Sequence, residues 1–207
     1  MPLQNRVTPR GEILALAARG TFMGNRGGAL HNDRREIVRD YASRRWITCL
    51  LEFRGRWRAV MSPRRYTELF FLDEAVALAA GHRPCAECRR ERFNAFKEAW
   101  IRDSPRGNFL YADEIDLELH RARIDRGHGK VTHRALLSSL PDGCFVQIAD
   151  SSYLVWGAML FRWSPEGYLD KVDRSAELIV DVLTPEPVVR CLRNGYKPEI
   201  HNSVRIS

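Results

Sequence analysis

Apolar residues recur at helical spacing in RRERFNAFKEAWIRD (89–103), where Phe93, Phe96 and Trp100 fall on one face. The same period in ADEIDLELHRARID (112–125) places Ile115, Leu119 and Ala122 together. Both patterns predict amphipathic helices that pack against a core. Asp73 precedes EAVALAA, which ends at Gly81, so a capped short helix is expected there. Thr8-Pro9 before RGEILALAARG predicts another helix ending near Gly20, and TPEPVVRCLRNG (184–195) a last one.

Other segments alternate or carry β-branched and aromatic residues. RRWITCLLEF and RWRAVMS, joined by Arg54-Gly55, predict a β-hairpin, and YTELFF a third strand. After residue 140 the pattern is β-rich, in CFVQIAD, SYLVWGAMLFRWS and AELIVDVL. Between the first predicted helix and the hairpin lies GTFMGNRGGALHND, whose glycines mark a loop in tight turns or close to a ligand. SPRGN (104–108) reads as a turn and a boundary. The expected fold is α+β: a small α+β part over residues 1–106, holding a knuckle at Cys85 and Cys88, and a helix-plus-β-rich part over 107–207, separate or packed as one unit.

Composition adds direction. The 207 residues are 44% hydrophobic, enough for a proper core. No apolar run approaches the roughly 20 residues of a membrane span, and the first residues lack a signal-peptide core. A cytoplasmic protein is expected, with no membrane partner and with reduced thiols. Five cysteines there argue against a disulfide framework. The net charge is +7, and residues 1–106 hold 21 Lys+Arg against 12 Asp+Glu, nearly all of the cations arginine. Arginine forks match phosphate oxygens, so this half predicts a nucleic-acid partner. A merely solvated basic surface is the alternative.

The chemistry centres on Pro84-Cys85-Ala86-Glu87-Cys88. A Cys-x2-Cys turn brings two thiolates to one point, and the helix that follows offers amides and a positive dipole end. A redox pair normally follows a strand in a βαβ unit, whereas this one joins two helices, so zinc is the favoured cofactor. Zinc needs further ligands. Cys49, otherwise a core cysteine, and His31, otherwise a solvated loop residue, are the candidates, and both are candidates for a catalytic role. Three protein ligands would leave an open position, and four would make the site structural.

ELFFLDEAVALAAGHRPCAECRR (68–90) resembles the second half of the zinc domain that opens the bacterial Ada alkylation-repair proteins. The shared order is an aromatic strand, an acidic cap, an alanine-rich helix ending in Gly, and an aromatic-Arg-Pro-Cys-x2-Cys knuckle, whose aromatic position is taken here by His82, so the resemblance implies that His82 packs against the helix. The resemblance implies a small zinc-centred α+β domain on the DNA backbone, with zinc on Cys85 and Cys88 and phosphate contact by Arg83 or Arg89. In that family a zinc-bound thiolate accepts a methyl group. The family's earlier Cys-x3-Cys pair has no counterpart here, where Cys49 is the one upstream cysteine. Arg26, Arg64, Arg65 and Arg90 are further candidates for nucleic-acid contact, with DNA expected ahead of RNA.

Weaker patterns remain. Zinc deaminases share Pro-Cys-x2-Cys but need His-x-Glu, and the nearest approach is His31-Asn32-Asp33. Asp116 and His120 stand four apart on one helix and could share a metal or proton, or simply pair. The Gly-Asn-Arg-Gly-Gly loop matches neither the phosphate-loop nor the dinucleotide pattern. Trp156, Trp163 and Tyr168 are expected in the core ahead of a base-stacking role, His128 and His133 give no geometry, and Cys144 and Cys191 read as buried and solitary.

Overall fold

The computed structural model describes residues 1–57, 59–102, 111–127 and 129–204. The first half is a six-stranded sheet of β1 (Gln4–Val7), β2 (Ile13–Ala15), β3 (Phe22–Asn25), β4 (Ile47–Cys49), β5 (Leu69–Phe71) and β6 (Arg83–Pro84), in the order β2-β1-β5-β3-β4-β6. Helix α1 (Glu74–Ala79) follows β5, α2 (Arg90–Ile101) leaves the cysteine knuckle, and α3 (Ala112–Arg123) comes next. The second sheet holds β7 (His133–Leu136), β8 (Phe145–Ile148), β9 (Ser151–Trp156), β10 (Met159–Ser164), β11 (Gly167–Asp173) and β12 (Ile179–Val182), in the order β11-β10-β9-β8-β12-β7. Helix α4 (Glu186–Arg193) then packs on α2 and α3. The chain is α+β with a β-rich second half, as its patterning predicts. No helix of the described residues is long and apolar enough to cross a membrane.

Strand alternation assigns the cores. Phe145, Leu154 and Phe161 face one cluster with Val7, Phe22, Leu69, Phe71 and the alanines of α1. Their neighbours Val146, Val155 and Leu160 face the other, with Phe93, Phe96 and Trp100 of α2, Ile115 and Leu119 of α3, and Val188 and Leu192 of α4. Because successive side chains of a strand point oppositely, the middle of the second sheet is covered on both faces. Both cores draw on residues from either side of position 106.

Three expected elements are corrected. Residues 8–20 are not helical. The Gly11 amide bonds to the Thr8 carbonyl, and β1 and β2 pair as an antiparallel hairpin in which Arg6 meets Leu14. A helix nucleus in so short a segment is costly, whereas β1 also pairs with central β5. The glycine-rich stretch is no ligand loop at its start but strand β3. A Cβ on Gly24 would lie 2.3 Å from the Ile47 carbonyl oxygen, so glycine lets β3 fit between β4 and β5. Arg54-Gly55 does form a turn, with the Arg56 amide bonded to the Phe53 carbonyl, but the described residues of 56–62 form no strand. Both edges of β4 are already taken, by β3 and by β6. The SPRGN boundary and His128 lie outside the described residues.

Two acids at the start of α1 tie these layers together. Asp73 accepts from the Val76 amide at 2.9 Å as the helix cap, from the Tyr168 hydroxyl at 2.8 Å and from the His201 amide at 3.0 Å. Glu74 is completely buried and takes Arg89 at 3.0 Å, Arg92 at 3.0 Å, the Glu199 amide at 2.9 Å and the Tyr196 hydroxyl. Removing one partner of such a pair strands the other charge in the interior. Glu74→Ala is therefore expected to lower the unfolding free energy by about 3–5 kcal/mol, read from urea titration. A loss under about 1 kcal/mol would contradict this role.

Candidate metal centre

The parallel pairing of β4 with β6 sets Ile47 opposite Arg83 and Thr48 opposite Pro84. Continuing that register brings Cys49 level with Cys85, and the Cys85 amide donates to the Thr48 carbonyl at 2.9 Å. After Cys85 the chain turns tightly, with the Arg89 amide bonded to the Cys85 carbonyl, and this turn swings Cys88 back. The Sγ atoms of Cys49, Cys85 and Cys88 all lie within 4.8 Å of one another. A tetrahedral ion with sulfur at about 2.3 Å requires sulfurs roughly 3.8 Å apart, so a small closure suffices. The three cysteines can thus hold a metal ion. Soft thiolates are donors for zinc, copper(I) or iron–sulfur chemistry.

Backbone amides support the sulfurs. The Glu87 amide donates to Cys85 Sγ at 3.4 Å, the Cys88 amide also serves Cys85, and the Leu50 amide serves Cys88. Hydrogen bonds from Cys49 and Cys88, with these amides, hold Cys85 well below the ordinary thiol value despite burial. Cys49 moves upward because of its bonds to Cys85 and Cys88 and its burial. Cys49 and Cys85 are each 8% exposed, while Cys88 is half-buried. Cys88 borders a cavity of about 310 Å³ that Leu50, Arg90, Arg92 and Glu199 also line. One side of the sulfur group therefore faces an accessible groove.

The other expected site residues are placed differently. His31 is buried away from the trio, with Nδ1 at 2.6 Å from Thr67 Oγ1 and Nε2 at 3.2 Å from the Ser62 carbonyl. Both ring nitrogens are occupied, which corrects the expectation that it turns toward the cysteines. Arg83 points inward onto Asp116, Nε to Oδ1 at 2.8 Å and Nη2 to Oδ2 at 2.7 Å. Asp116 therefore serves Arg83, and His120 packs on Tyr41 with ring centres 5.0 Å apart. Arg89 is locked between Glu74 and Glu199. Arg26 is buried against Trp46. These three arginines are internal, whereas Arg64, Arg65 and Arg90 are exposed. His82 is fully buried against Trp46 and Phe71, and burial first, then Arg26, keeps it well below the usual histidine value. Tyr168 is core, while Trp156 and Trp163 are half-buried at its margin. Cys144 and Cys191 are buried and free, and His133 is half-buried on β7.

Sequence reasoning missed the amide donors and the groove wall from Glu199, since backbone groups and distant tails leave no local signal. Comparison with family models, curated proteins and solved structures found no match to this chain.

If the trio is the metal-binding group, each sulfur is required. Cys49→Ser and Cys85→Ser should both reduce bound metal from about one ion per chain to near zero, measured by elemental analysis. Cys191→Ala should retain it. Full metal content in Cys49→Ser would exclude Cys49 as a ligand.

Proposed function

We propose that this chain is a zinc-thiolate protein that binds or acts on nucleic acid, DNA ahead of RNA, at the surface around its cysteine trio. The observation that carries the reading is the loop leaving Cys49. Leu50 and Leu51 are exposed there, and Trp57 is 88% exposed. Arg54 and Arg56 lie over the Phe53 ring at 4.9 and 5.4 Å. Arg56 also reaches Glu87 of the knuckle at 2.8 Å, joining loop and cysteines. An exposed indole beside arginines suits stacking of an unpaired base and contact with phosphates.

Zinc on three thiolates leaves one tetrahedral position for an outside donor. The chain's own part is to hold the sulfurs in register through β4 and β6, and to screen two of them while Cys88 borders the groove. Exposed Arg64, Arg65 and Arg90 are the phosphate contacts in this reading, Arg83 and Arg89 are structural, and Arg26 lies away from this surface. The order of strand β5, capped α1 and knuckle follows the Ada pattern, which supports DNA as the partner. Small-substrate metal chemistry is the second reading, favoured by the groove beside Cys88.

Fluorescence anisotropy with a labelled oligonucleotide separates the two. Binding should weaken with salt, the log–log slope being about −0.7 per phosphate contacted on a single strand. Trp57→Ala should weaken it about tenfold by loss of one stacked base. Absence of binding at low salt would sink the nucleic-acid reading and leave the small-substrate one.

A further inference from the structure

Opposite the trio along β4, at Trp46, lies a cavity of about 250 Å³ that the metal chemistry does not use. Its walls come from separate elements: the β1–β2 turn supplies Arg10 and Glu12, the chain after β3 supplies Arg26, and Trp46 precedes β4. Arg123 and Lys130 arrive from α3 and the segment beyond it, and Asp40 completes the ionisable lining. Four cations face two acids, an excess of two positive charges.

Neutral groups hold the inner cations in place. Arg26 donates to the Gly11 carbonyl at 2.7 Å, the Asp40 carbonyl at 3.2 Å and His82 Nε2 at 3.4 Å. Arg123 donates to the carbonyls of Gly81 at 2.8 Å and Arg44 at 2.6 Å, and lies 3.2 Å from His120 Nδ1. Lys130 Nζ donates to the Ala79 carbonyl at 2.7 Å. Carbonyls orient a charge without cancelling it. The two guanidiniums also lie over the Trp46 ring, at 4.0 and 3.9 Å, so the same indole holds both in place. Arg26 and Arg123 are each 3% exposed, and the buried Nε–H of Arg123 has no hydrogen-bond partner.

This arrangement is costly without a counter-charge. Burial, with mutual repulsion, lowers Arg123 to about 9 and Lys130 to about 7. Burial also brings Arg26 to about 9, with Asp40 opposing. By contrast, Arg83 and Arg89, equally buried, each have a carboxylate within 3.0 Å. Cations that line a cavity and are hydrogen-bonded mainly to neutral acceptors are suited to receive an anion.

We propose that this cavity is a binding site for a phosphate dianion, free or as a terminal phosphate monoester, gripped by Arg26, Arg123 and Lys130 with Arg10 at the rim. Cations outnumber acids in the lining, which suits a dianion, and the volume admits a phosphate group with part of what it is attached to. The site is separate from the metal centre and does not depend on the nucleic-acid reading.

Calorimetric titration of the full chain with inorganic phosphate, at constant ionic strength set by chloride, tests it. Saturable binding is expected, weakened at least about tenfold in Lys130→Gln. Arg10→Gln, at an exposed position that leaves the core intact, should weaken it by a smaller factor. Circular dichroism and metal content should match the parent in both variants. Parallel arms with glycerol 3-phosphate and a 5′-phosphorylated dinucleotide identify the source, since the tighter ligand carries the natural attachment. If neither exceeds inorganic phosphate, free phosphate is the ligand. Heat of dilution alone, equal binding by both variants, or equal binding of the unphosphorylated dinucleotide would each overturn the proposal.

Discussion

The buried carboxylates of Asp73 and Glu74 are the constraint on which the rest of this molecule depends. They sit side by side at the start of a six-residue helix that is buried throughout. Asp73 reaches the second sheet through Tyr168, and Glu74 reaches the tail through Tyr196 and Glu199. Glu74 also fixes Arg89, the residue directly after Cys88. The exit of the cysteine turn is thereby tied to the start of α1. A carboxylate so far from water is tolerable only because every bond it needs is supplied.

The cations fall into three groups by what surrounds them. Arg83 and Arg89 are neutralised by carboxylates and act as internal struts. Arg54, Arg56, Arg64, Arg65 and Arg90 are exposed and free to meet a partner's charge, apart from the Arg56–Glu87 pair. Arg26, Arg123 and Lys130 line a cavity and are held mainly by carbonyls. The positive balance of the first half thus has several origins, and only part of it is a surface field.

The helices were largely legible in the chain. Asp73 caps α1, Gly81 follows its end at φ +86°, and Phe93, Phe96 and Trp100 point where their spacing places them. Local signals sufficed because capping and amphipathic periodicity act within a few residues. The first sheet was poorly legible. Its strands are two to four residues long, too short for a period to register, and Gly24 reads as loop although it serves a close strand contact.

By itself, the sequence determined that Cys85 and Cys88 share a tight turn ahead of a helix, because three positions of chain decide that geometry. Whether Cys49 or His31 joined them was settled by tertiary structure alone. The parallel register of β4 and β6 carries Cys49 across thirty-six positions to Cys85, while Thr67 and Ser62 take up His31. The cavity around Trp46 is likewise a product of folding, assembled from positions 10 to 130. Long-range strand pairing and burial choose such neighbours, and neither leaves a mark in any short stretch of chain.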